Sequence, residues 1–129
     1  MNDDVPDDLL RFVHGETDPA RFPHREHVRM GYEMLRRHSF PETVLLFSEA
    51  LRSLAARAGT TQAFHQTITI AFLSLIAERI ESEDSADFDA FALRNPDLFD
   101  KAVLARWYGP ERLASPQARR TFLLPERTL

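Results

Sequence analysis

Eight prolines and four glycines interrupt the chain, and between these breaks the apolar residues recur at intervals of three and four. That combination constrains the fold more than any other feature. A period near 3.6 calls for helices, and the breakers mark where each one starts and stops. A short helix is expected over 7–14, halted at Gly15, with Glu16-Thr17-Asp18-Pro19 as a turn. Pro23 opens a second helix, because its missing N–H has no partner to lose in a first turn, and that helix runs to about His38. Ser39-Phe40-Pro41-Glu42 has the spacing of a capping box and starts a third helix, which ends at Ala58 before Gly59.

Thr60 or Thr61 is expected to cap a fourth and longest helix, in which Phe64, Ile68, Phe72, Leu75, Ile76 and Ile80 keep the helical interval. Asp84 and Ser85 offer caps for a short helix carrying Phe88 and Phe91, which must end near Asn95 because Pro96 restricts the residue before it. Asn95 is expected to cap a further helix through Trp107, closed by Gly109-Pro110. Two small helical turns, 110–114 and 116–122, come last, and Pro125 forbids continuation. No segment alternates with period two long enough to make an exposed strand. The expected fold is therefore all-α, an antiparallel helical bundle with additional short C-terminal helices. It forms one domain over 1–129, with a flexible acidic start over 1–6.

Composition narrows the chemistry. Hydrophobic residues at 43% and charged residues at 28% are ordinary for a folded domain. The absence of cysteine excludes disulfides, thiolate nucleophiles and thiolate-bound metals, so any metal would be held by nitrogen and oxygen. The start Met1-Asn2-Asp3-Asp4 lacks the basic and apolar regions of a signal peptide, and the richest apolar segment, 68–80, is interrupted by Thr69, Ser74, Glu78 and Arg79. A cytoplasmic protein with no membrane partner is expected. The net charge of −4 disfavours phosphate backbones, so no nucleic-acid partner is expected either, although Arg36-Arg37-His38 and Arg119-Arg120 form small basic spots.

The most suggestive residues are histidines. His24 and His27 are spaced H-x-x-H at the start of the second helix. That interval places both on one helix face, along a stripe with Val28, Gly31, Met34 and Leu35. His65 falls between Phe72 and Ile76 in the projection of the fourth helix. Short links make consecutive helices antiparallel, so the second and fourth run in one direction and their N-termini share an end of the bundle. The three imidazoles then belong to one layer, a donor set suited to a divalent transition metal (Zn, Fe, Cu or Ni) with positions left open for water and a small-molecule substrate. Thr69 and Glu16 are the candidate catalytic residues beside it. Converging helix N-termini act both ways, disfavouring a bare cation while keeping the rings neutral.

Gly31, at a cost of about 1 kcal/mol relative to alanine, marks either a close helix crossing or a cavity. Trp107 and Tyr108 read as core and rim aromatics. No Glu-x-x-His pair, no H-E-x-x-H, no adjacent His-Asp pair and no glycine-rich phosphate loop is present in the sequence.

Over 23–122 the chain resembles an uncharacterised family of small bacterial all-helical proteins. The resemblance is carried by His24-Arg25-Glu26-His27-Val28, Phe64-His65-Gln66-Thr67-Ile68-Thr69, Asn95-Pro96-Asp97-Leu98, the stretch from Tyr108 to Ser115, and Ala118-Arg119. It implies a helical fold and a bacterial origin, and no reaction. At the level of a bundle holding a metal on three histidines, the chain is also similar to the DinB-like proteins, which use a late H-x-x-x-H pair where this chain has an early H-x-x-H. Two functions follow as expectations. One is a metal-dependent enzyme, a hydrolase, transferase or oxygenase, with His24, His27 and His65 as ligands. The other is a non-catalytic helical partner-binding or regulatory module whose histidines are structurally satisfied. Metal-free acid–base catalysis by one histidine is a third.

Overall fold

The computed structural model describes residues 5–126. Among these residues lie seven α-helices, several short 3-10 turns and no strand, so the chain is all-α. The expected acidic start over 1–6 falls mainly on residues outside the described range. Contacts group the chain into two compact units, one ending at Phe64 and one beginning at His65.

The first unit holds α1 (Asp7–Val13), α2 (His24–Arg37) and α3 (Phe40–Arg57). Each boundary has a local cause. α1 ends at His14, and Gly15 then takes φ +74°, a left-handed conformation that other residues adopt at a cost. Pro23 stands one position earlier than expected, as the cap of α2 rather than its first residue. The capping box of α3 forms as its spacing predicts: the Ser39 hydroxyl accepts from the Glu42 N–H, and the Glu42 carboxylate accepts from the Ser39 N–H. The link between α2 and α3 is so short that the two helices, which pack on each other, form an antiparallel hairpin.

Packing in this unit is aromatic at its centre. The Phe12 ring stacks on Phe22 at 5.0 Å and meets the edge of Phe47 at 5.2 Å. Val28, Met30, Tyr32 and Met34 are buried along α2, so its inward surface is wider than the expected stripe. Arg29 ties α2 to α1 by an ion pair to Asp8 and pairs with Glu26 on its own helix, and the Glu26 hydrogen bonds are the largest cause raising its basicity.

The second unit is built on α4 (Gln66–Ser82), followed by α5 (Phe88–Arg94), two 3-10 turns, α6 (Pro110–Ala114) and α7 (Pro116–Arg120). α7 packs against α4 through the fully buried Ala118, and Leu73 and Ile76 of α4 are likewise removed from water. Burial of a side chain of that size stabilises by about 1.5–3 kcal/mol. Two expectations fail here. α5 is capped by Asp87, whose carboxylate accepts from the Ala90 N–H, and not by Asp84 or Ser85. The expected single helix from Asn95 to Trp107 is two 3-10 turns, Pro96–Phe99 and Val103–Arg106. Its interruption has a visible cause: the Asp100 carboxylate accepts from the Ala102 N–H, closing a local side-chain turn where a helix would have to continue.

Candidate functional site

His65 does not lie within the fourth helix as its spacing suggested. It is the residue that caps it. Its backbone is extended (φ −137°, ψ 109°), and its ring Nδ1 accepts a hydrogen bond from the Ile68 N–H at 3.1 Å. The other nitrogen, Nε2, lies 2.6 Å from the Leu113 carbonyl oxygen. A carbonyl only accepts, so Nε2 carries the proton, and an acceptor role at Nδ1 requires the same tautomer. Both ring nitrogens are engaged, one on the first turn of α4 and one on α6, and the residue is buried at 8% exposure. Thr60 and Thr61, the expected caps, precede and begin a 3-10 turn, Thr61–Ala63, in which no threonine side chain caps.

The threonines that follow extend the clasp. The Thr67 hydroxyl donates to the Thr121 carbonyl at 2.7 Å and accepts from the Leu123 N–H at 3.0 Å, fastening the segment after α7 to α4. The Thr69 hydroxyl donates to the backbone carbonyl of His65 one turn earlier, at 2.7 Å. Thr69 was a candidate catalytic residue from sequence; its hydroxyl proton is committed to its own helix, and the residue is buried. The Phe64–Thr69 motif thus works as a structural fastener.

His24 and His27 lie in the first unit, on the first turns of α2, both half-buried. Their ring centroids are 6.1 Å apart and tilted by 49°. His27 also meets Phe22 edge to face at 4.6 Å, at the end of the row formed with Phe12 and Phe47. The predicted neighbourhood of these two rings is therefore real. Glu16, the other candidate catalytic residue, is exposed in the loop after α1, where its N–H donates to the Arg11 carbonyl at 2.8 Å. Among the described residues, no group of three or more His, Asp or Glu side chains is arranged to hold a metal ion.

A second polar cluster was not foreseen. Asn95, expected to cap a helix, is 1% exposed and makes no capping bond. Its amide oxygen accepts from Arg79 at 2.7 Å, and its amide nitrogen donates to the Phe91 carbonyl at 2.9 Å and to Glu83 at 3.1 Å. Arg79 also grips Asp97 with two hydrogen bonds, at 2.7 and 3.0 Å, and Arg106 approaches the same carboxylate at 3.4 Å. The Arg79 hydrogen bonds hold the Asp97 carboxyl below its ordinary range and raise the guanidinium in turn. Every group in this cluster has a partner within the unit, which marks it as a joint between α4, α5 and the turn that begins at Pro96.

A concavity of the second unit lies elsewhere. A groove of about 150 Å³, open on one side, runs between α4 and the segments after it. Its walls are mainly apolar: Leu75 from α4, Leu104, Trp107 and Tyr108 from the middle segment, and Phe122 and Pro125 from the C-terminal strap. The polar side chains on its α4 wall are Ser74 and Glu78, one helical turn apart. The Tyr108 phenol points away into structure, donating to the Leu123 carbonyl at 2.8 Å, and burial pushes its ionisation up. Trp107 stays half-buried, with the Arg106 guanidinium 4.9 Å from its ring centre.

Of the two aromatics expected at core and rim, Tyr108 is buried and Trp107 lies at the rim. The missed signal was the interval 71, 74, 75 and 78 on α4, where Ala71, Ser74 and Glu78 break what would otherwise be a continuous apolar face.

No protein family matches the chain, and no curated protein or solved structure matches it. Among the described residues no helix is long and apolar enough to cross a membrane.

Proposed function

We propose that the protein is a non-catalytic helical binding module, and that the groove beside Trp107 receives a small, largely apolar ligand. The observation that carries this reading is the contrast between two sites in the second unit. The histidine and threonines with the most chemical promise are all bonded into the scaffold, whereas the groove offers an open, mostly apolar surface with few polar groups, the usual character of a small-molecule site. To serve as a metal ligand, His65 would have to abandon α4's first turn or the Leu113 carbonyl, and either leaves a buried polar group unpaired at about 1–3 kcal/mol.

The test uses the single tryptophan of the sequence as reporter. Toluene titrated into the protein is expected to change Trp107 fluorescence saturably, and Ala71→Phe, which fills the groove from the α4 side, is expected to abolish that change while the helical circular dichroism persists. The double variant His24→Ala/His27→Ala should bind as the parent does. If that double variant loses binding, or if the parent shows no saturable response, the groove reading fails.

A further inference from the structure

Resting on the groove as the binding site, we infer that its ligand is a small organic cation: one ring-sized apolar body bearing an ammonium group, seated with the charge against Glu78. Size sets the body. A cavity of roughly 150 Å³ accommodates one benzene-sized molecule, and the groove has that volume. The walls set its chemistry, since Trp107, Tyr108 and Phe122 present aromatic surface and Leu75 and Leu104 aliphatic surface.

Charge sets the head group. Among the described residues, Glu78 is the one carboxylate in the lining, and no Lys, Arg or His side chain lines the groove. The carboxylate is exposed, and its one electrostatic neighbour among the described residues is the adjacent Arg79. Three arginines of this unit are held by acids or carbonyls of their own. Arg106 reaches Asp97 at 3.4 Å, and Arg112 reaches Glu126 at 3.9 Å and donates to the Leu124 carbonyl at 2.9 Å. Arg79, next to Glu78 in the chain, is held on Asp97 and Asn95. An incoming ammonium therefore meets a carboxylate with no hydrogen-bond partner among the described residues and the aromatic surface of Tyr108 and Phe122, whereas a carboxylate ligand would be repelled by Glu78; Arg106, over the Trp107 ring, is a cation beside the lining rather than in it. Ser74, one turn from Glu78 on the same helix face, supplies a hydroxyl acceptor beside it.

The discriminating experiment compares benzylamine, toluene and benzoate as ligands of the full chain, each followed by Trp107 fluorescence at neutral pH and low salt. Benzylammonium is expected to bind about three- to fivefold more tightly than toluene, the scale of an exposed ion pair. Benzoate is expected to bind more weakly than toluene, and the benzylammonium advantage should shrink as salt is added. Glu78→Gln should bring benzylamine down to the toluene level and leave toluene unchanged. If toluene binds but benzylamine gains nothing, or if Glu78→Gln keeps the advantage, the cation assignment is overturned while the groove stands. If no probe binds, the groove itself is lost as a site.

Discussion

The Nε2–H of His65 donates to the carbonyl oxygen of Leu113 across 48 residues of chain, at 2.6 Å, while the opposite nitrogen of the same ring accepts from Ile68 three residues on. One imidazole therefore starts a helix and anchors another, and the second role requires the tautomer that the first imposes.

Replacing His65 separates these two roles. His65→Ala removes the cap and leaves the Leu113 carbonyl without its donor, a combined loss of about 2–4 kcal/mol. His65→Asn keeps a side-chain acceptor for the Ile68 N–H and forfeits only the reach to Leu113, so it should recover about 1 kcal/mol of that loss. Urea unfolding measures both. Nitrogen NMR of the parent should show a ring protonated at Nε2 and bare at Nδ1. A ring protonated at Nδ1, or an Asn variant no more stable than Ala, would contradict the double role.

Much of the scaffold was legible because its signals are local. The Ser39–Glu42 capping box and the stops at Gly15 and Gly59 depend on neighbours a few residues away, and each appears where its pattern lies. The failures share the opposite property. The side chain of Asn95 looks like a cap until Arg79, 16 residues earlier, claims its oxygen. His65 looks like an inward helical residue until the Ile68 N–H and the distant Leu113 carbonyl turn it into a cap. The same holds for the motif of the candidate site: a sequence shows that His65 and Thr67 are close together, but not that Leu113 returns to bond the one and Thr121 and Leu123 the other. The groove was hidden differently. Its walls come from three separated stretches, and only the small and polar residues on one face of α4 hinted at an opening.

Asp97 predicts an acid-side dependence of stability. Its two hydrogen bonds from Arg79 hold the folded-state value below the ordinary 3.8. A depressed carboxyl contributes stability that is fully present above the unfolded value and is lost as the pH falls through the folded one. Stability should therefore decline as the pH drops below about 4, and Asp97→Asn should be less stable at neutral pH with a shallower decline in acid. The side chain is 38% exposed, so the effect should be modest and reduced by added salt. Denaturant midpoints measured in steps from pH 6 to pH 2.5 check this; an identical acid slope in parent and variant would remove Asp97 from the account.

The two left-handed glycines offer a comparison in which backbone strain is common and space is not. Gly15 and Gly59 both sit at φ +74°, so an alanine at either position carries the left-handed penalty of about 1–2 kcal/mol. Around Gly59 nothing lies within 4 Å of an added Cβ, and Gly59→Ala should cost that penalty alone. At Gly15 the new methyl would stand 2.9 Å from the Ser53 hydroxyl oxygen, closer than real methyl contacts, so α1 and α3 must shift or the serine must turn away. Gly15→Ala should accordingly be the more damaging of the two in urea unfolding. Because the clash is with the hydroxyl, while the Ser53 Cβ would lie at an ordinary 3.6 Å, Ser53→Ala should restore much of the difference in the Gly15→Ala background. In a double-mutant cycle the two substitutions then couple favourably. Equal costs at Gly15 and Gly59, or no coupling with Ser53, would mean that the turn after α1 is loose enough to absorb a side chain, contrary to the close approach seen between Gly15 and α3.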